Sequence, residues 1–112
     1  MDSHEKKAAI AAYKERKAIS GVYAVICNAT GEPWVGASRN LEAQPNGLWF
    51  TLRLGSHRHA SLQAAWNAHG EAAFRYEALD QVPEDYSDMA RKDDLKRRKD
   101  LWQQRLQAEG LL

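Results

Sequence analysis

The sequence predicts an α+β fold in which a small, largely antiparallel sheet is covered by helices, and three observations predict it. Two short β-favouring runs, carrying Val22, Tyr23, Val25 and Ile26 and then Trp34-Val35-Gly36, are joined by the turn-rich cluster Asn28-Ala29-Thr30-Gly31 and read as a hairpin. A third run, from Ala73 to Leu79, alternates like a strand and sets Phe74 and Tyr76 on one side. Around these runs the apolar residues recur at helical spacing. A length of 112 residues suits one domain, and 44% hydrophobic with 28% charged residues excludes the signature of a disordered chain.

The elements follow in order. Ser3 offers an N-cap to a helix-forming run that reaches about Lys17, with Ile10 and Tyr13 at helical spacing. Residues 1–19 are therefore expected to be a helical extension and residues 20–109 the domain proper. After the hairpin, Pro45, Asn46 and Gly47 predict an interruption: a short turn near Leu41, then a helix carrying Leu48, Trp49, Leu52 and Leu54, ended by Gly55-Ser56. Over residues 60–69, Leu62, Ala65, Trp66 and His69 follow the i, i+3, i+4, i+7 spacing, and Gly70 suits the C-cap. Residues 80–88, with Pro83 and several acids, read as loop. The last helix is expected from about Met89 to Glu109, with Leu95, Trp102 and Leu106 on one stripe and Gly110 marking its end.

Sixteen basic and fifteen acidic residues leave a formal charge of +1, so the whole-molecule field steers a polyanion weakly and any nucleic-acid site must be a local patch. Cys27, the single cysteine, excludes an intramolecular disulfide and a Cys-cluster zinc site and suits a reducing compartment. His57 and His59 stand at i, i+2, a spacing that faces opposite sides of a strand, and with His69 they make a poor zinc set; no metal ligands are predicted. No run approaches the roughly 18 apolar residues of a membrane helix, and the N-terminus lacks an apolar signal core. A cytoplasmic protein with no membrane partner is the expectation.

Gly21-Val22-Tyr23 resembles the first motif of the GIY-YIG nuclease superfamily, and Trp34-Val35-Gly36, eleven residues on from Tyr23 to Trp34, resembles the second with Trp in place of Tyr. Ala37-Ser38-Arg39-Asn40-Leu41 is similar to the opening of that family's first catalytic helix. Leu62-Gln63, Trp66-Asn67, His69-Gly70 and Phe74 resemble its next helix and third strand, and Leu101-Trp102 its late helix. About residues 20–106 are covered. The resemblance implies a small three-stranded antiparallel sheet flanked by helices. It also implies an endonuclease that hydrolyses a phosphodiester with a divalent ion, magnesium or manganese, held mainly by a late-helix Glu, while an Arg steadies the phosphate and a motif Tyr orients or deprotonates water.

Carried over residue by residue, the resemblance finds that machinery incomplete. Tyr23 keeps its phenol, whereas the Trp34 indole donates one hydrogen bond but neither accepts a proton nor ligates a metal. The family's Arg falls near Gln44 or Gly47, neither of them a cation; Arg53, further along, is the candidate substitute. His57 matches a position that commonly carries a histidine near the catalytic face. The metal-binding Glu falls within residues 97–99, where Arg97-Arg98-Lys99 would repel a divalent ion. The candidate catalytic residues are thus Tyr23, Trp34, Arg53 and His57, and the candidate nucleic-acid-binding residues Arg39, Arg53, Arg58, Arg97 and Lys99. The mixed charges of residues 91–100 otherwise read as a solvated helix face, with Asp93 and Arg97 well placed to pair. The expected function is sequence-nonspecific nucleic-acid binding with endonuclease activity weakened or lost. The alternatives are an active metal-dependent endonuclease that recruits Asp94, Asp100 or Glu71, and a protein-interaction module that docks a nuclease or repair complex.

Overall fold

A computed structural model describes residues 18–82 and 87–111. The expected N-terminal helix and residues 83–86 of the expected loop lie outside the described residues. Strands β1 (Gly21–Cys27) and β2 (Pro33–Ser38) form the expected antiparallel hairpin, with Tyr23 opposite Gly36 and Val25 opposite Trp34. Strand β3 (Phe74–Gln81) pairs antiparallel with the other edge of β1, with a register irregularity between Val22 and Tyr23.

Three antiparallel strands were expected, and the sheet has a fourth. Strand β4 (Glu109–Gly110) pairs in parallel with β2, so the sheet is mixed, in the order β3-β1-β2-β4. The cause lies at the end of the last helix, which stops before Glu109. Helix α3 (Asp88–Leu106) ends where Gln107 takes the left-handed conformation, with its N–H on the carbonyls of Gln103 and Gln104. The chain then turns back so that Leu111 is buried in the core and its N–H donates to the Val35 carbonyl at 2.7 Å. Burying one more large apolar side chain outweighs extending a solvated helix by one turn.

Helix α1 (Gln44–Arg53) also departs from expectation. Pro45 lies in its first turn, where a missing N–H costs nothing, so Pro45, Asn46 and Gly47 open the helix rather than interrupt it. Helix α2 (Ala60–His69) matches the periodicity and ends at Gly70, whose φ of 83° favours glycine. Helix α3 starts at Ser87, whose hydroxyl accepts the Ala90 N–H at 3.2 Å.

The sheet has a filled face on each side. On one, Tyr23, Val25, Cys27, Trp34 and Phe74 pack against Leu48, Leu52, Leu62 and Trp66 of α1 and α2. On the other, Val22, Ala24 and Val35 pack against Trp102 and Leu106 of α3. Among the described residues no helix is long and apolar enough to cross a membrane.

Candidate functional site

The two motif glycines are packing requirements. A Cβ on Gly36 would lie 2.6 Å from the Tyr23 phenol, and one on Gly21 only 2.0 Å from the Asp80 carbonyl oxygen. With Gly36 bare, the Tyr23 ring fits against β2 and stacks on Tyr76 with centroids 5.3 Å apart. Tyr76 donates its hydroxyl to the Leu41 carbonyl at 2.9 Å, which ties the turn before α1 to β3. Burial pushes the Tyr23 phenol above its ordinary pKa; burial and then Tyr23 push Tyr76 up to about 12. Both rings keep their protons at neutral pH.

Trp34 is fully buried, and its indole N–H is divided between the Ser61 hydroxyl at 2.9 Å and the Glu109 carboxylate at 3.0 Å. The same Glu109 oxygen accepts from Ser61 and lies 3.3 Å from His59 Nε2. Hydrogen bonding from Ser61, then from His59 and Trp34, holds the Glu109 carboxyl below its ordinary range. Trp34 therefore clasps β4 onto the start of α2. The acceptors stand 27 and 75 residues from it in sequence, beyond the reach of any motif.

The other candidate catalytic residues take partners of their own. Gln44, where the resemblance sets an arginine, accepts the Ser38 hydroxyl at 2.8 Å. Arg53 is exposed and paired with Glu71. His57 is half-buried in the connection before α2; its N–H donates to Gln63 and its Nδ1 accepts the His59 N–H, both at 3.0 Å. Burial lowers its pKa, with nearby His59 and Arg58 adding to that, so it is neutral at physiological pH. Arg58 is exposed.

What the fold does gather is charge on α3. Asp94 is 4% exposed and takes Arg97 on one oxygen and Arg98 on the other. Burial alone would raise its carboxyl, but hydrogen bonds from Arg98 and Arg97 outweigh burial and hold it low. Arg98 reaches on to Asp80 at 2.7 Å, and the Trp102 indole donates to the other Asp80 oxygen at 3.2 Å. This network fixes the rotation of α3 against the end of β3. Arg97 pairs with Asp94, not with Asp93, and faces the outer surface with Asp93 and Asp100.

Turned the opposite way, Arg91, Lys92, Lys96 and Lys99 line a groove of about 1030 Å³ between α3 and the end of the hairpin, where Arg39 stands on the facing wall. Ser20, Ser38 and Leu95 form part of its floor, and Asp88, paired with Arg91 at 3.1 Å, is its one acid among the described residues. Of the candidate nucleic-acid-binding residues, Arg39 and Lys99 meet here; Arg53, Arg58 and Arg97 do not line the groove. In the sequence Arg91, Lys92 and Lys96 read as solvated helix charge. The spacing of Lys92, Lys96 and Lys99, i, i+4, i+7, was the available signal of one shared face.

The residues present do not fit a divalent ion. The three acids that could have replaced the missing glutamate are engaged elsewhere or surrounded by cations: Asp94 by two arginines, Glu71 by Arg53, and Asp100 in a hollow with Lys96 and Arg97. Among the described residues no three His, Cys, Asp or Glu side chains come together as a metal site.

No family model matches the chain, and no curated protein matches it. Among solved structures it is similar to the catalytic domain of the homing endonuclease I-TevI, with a TM-score of 0.70 at 23% identity, over 83% of this chain and 98% of that one. A mutant of the catalytic domain of intron endonuclease I-TevI gives a TM-score of 0.68 at 25% identity, over 80% and 84%. With glycines packed at both hairpin motifs and helices on both sides of the sheet, the chain carries the fold of the GIY-YIG nuclease catalytic domain.

Proposed function

We propose that this domain binds nucleic acid through the groove between α3 and the hairpin, and that it does so without endonuclease activity. One observation carries the reading: among the described residues five basic side chains, Arg39, Arg91, Lys92, Lys96 and Lys99, line one concave surface with a single acid. A concave basic wall raises the local potential well beyond what a net charge of +1 provides, and phosphates are the ligands such a wall selects. The similarity to an endonuclease catalytic domain favours a nucleic acid over other polyanions. Phosphodiester hydrolysis needs a cationic centre that neutralises developing charge and a base for water. Here the segment where the resemblance sets the metal-binding glutamate reads Arg97-Arg98-Lys99, and the buried Tyr23 phenol keeps its proton.

The test is fluorescence anisotropy with a labelled duplex, wild type against Arg39→Ala with Lys96→Ala. Binding that weakens at least tenfold in the double variant is the expected result, with Arg53→Ala plus Arg58→Ala as a near-neutral control. A correctly folded sample with no detectable binding at about 50 mM salt would remove the nucleic-acid reading. A protein-interaction module would then be favoured by Phe50 on α1 and Leu54 at its C-cap, both exposed.

A further inference from the structure

We infer that the groove grips the phosphate backbone of one strand of a duplex without a divalent metal; the inference rests on the nucleic-acid reading above and specifies its ligand. Lys92, Lys96 and Lys99 form one stripe facing the groove, and seven residues of helix at 1.5 Å each make it about 10 Å long. Long lysine side chains extend the reach of this stripe at both ends, so the three ammonium groups can each take one phosphate of a strand. Arg39, on the facing wall, supplies a fourth contact. Arg91 is set aside because Asp88 offsets its charge.

The lining also says what the groove does not do. Non-specific single-strand binders combine a basic track with aromatic side chains on which bases stack, and that stacking is worth about 1–3 kcal/mol per base. No aromatic side chain lines this groove among the described residues; Ala18, Ala37, Val82 and Leu95 supply its apolar surface. A divalent ion would meet cations on both walls, and the ammonium groups supply the charge that a bridging metal would otherwise bring to the phosphates.

The experiment measures anisotropy of a labelled duplex and of one of its strands, in EDTA and in magnesium at matched ionic strength, over several salt concentrations. Expected are severalfold tighter binding to the duplex, affinity unchanged within about twofold between EDTA and magnesium, and a log–log salt slope of about −3.6 for four contacts. Replacing Lys92, Lys96 and Lys99 together with Ala flattens that slope by about 2.7, while replacing all three with Arg preserves it. Equal or tighter binding to the single strand, a magnesium requirement, or a polyglutamate peptide bound as tightly as the duplex overturns the inference. The first two of those outcomes leave nucleic-acid binding standing; no binding to any nucleic acid removes both readings.

Discussion

Gly36 and Tyr23 were legible as a motif pair, yet what joins them is steric: the glycine is the space that the phenol occupies. Gly36→Val is expected to cost about 1–3 kcal/mol in urea unfolding through overpacking, and Tyr23→Leu in the same chain should recover part of that cost. Additive losses in the double variant would mean that the two side chains do not contend for one space. Trp34 was read correctly as a residue with one N–H to donate, but its acceptors, Ser61 and Glu109, come from the start of α2 and the end of the chain. The Glu109 carboxyl is held below its ordinary value of 4.5, so it adds stability above that pH and loses it as pH falls through the folded-state value. Glu109→Gln should accordingly lower the melting temperature near neutral pH, with the gap to wild type closing in acid. A gap of constant size from pH 7 to pH 3 would contradict the ionised clasp.

At the scale of elements, periodicity located α1, α2 and α3, whereas helix ends depend on partners that periodicity cannot see. The start of α1 was misjudged because Pro45 reads as a breaker until its place in the first turn is known. The end of α3 was misjudged because Gly110 looked like a terminator, while Gln107 makes the turn and Leu111 provides the reason for it. Asp94 was equally hidden. It reads as one acid among the charges of residues 91–100 but is the buried anchor that sets the rotation of α3. Asp94→Ala should destabilise the domain by about 2 kcal/mol, less than the roughly 3–5 kcal/mol of a fully buried pair, because Arg98 keeps Asp80. It should also weaken duplex binding although Asp94 is an acid outside the groove, since α3 would no longer hold its lysines in line. Tighter binding in that variant would show net charge at work, not the rotation of the helix.

Over the whole molecule, a formal charge of +1 conceals a segregation that only the fold produces. Around α3, Lys92, Lys96 and Lys99 face the groove, Asp94 and Arg98 face the sheet edge, and Asp93 and Asp100 face outward with Arg97. Arg39 and Lys99, sixty positions apart, could be nominated from sequence but not placed opposite one another. Arg53 and Arg58, nominated with them, line no part of that groove. We propose that a nuclease fold has kept a phosphate-binding surface while the groups needed to cut are gone. Incubation of highly purified protein with supercoiled plasmid in magnesium or manganese, at concentrations where anisotropy shows binding, tests it most directly. The account predicts that the plasmid stays supercoiled. Nicking that accumulates with time and disappears in Tyr23→Phe would contradict it, because a contaminating nuclease would not follow that substitution.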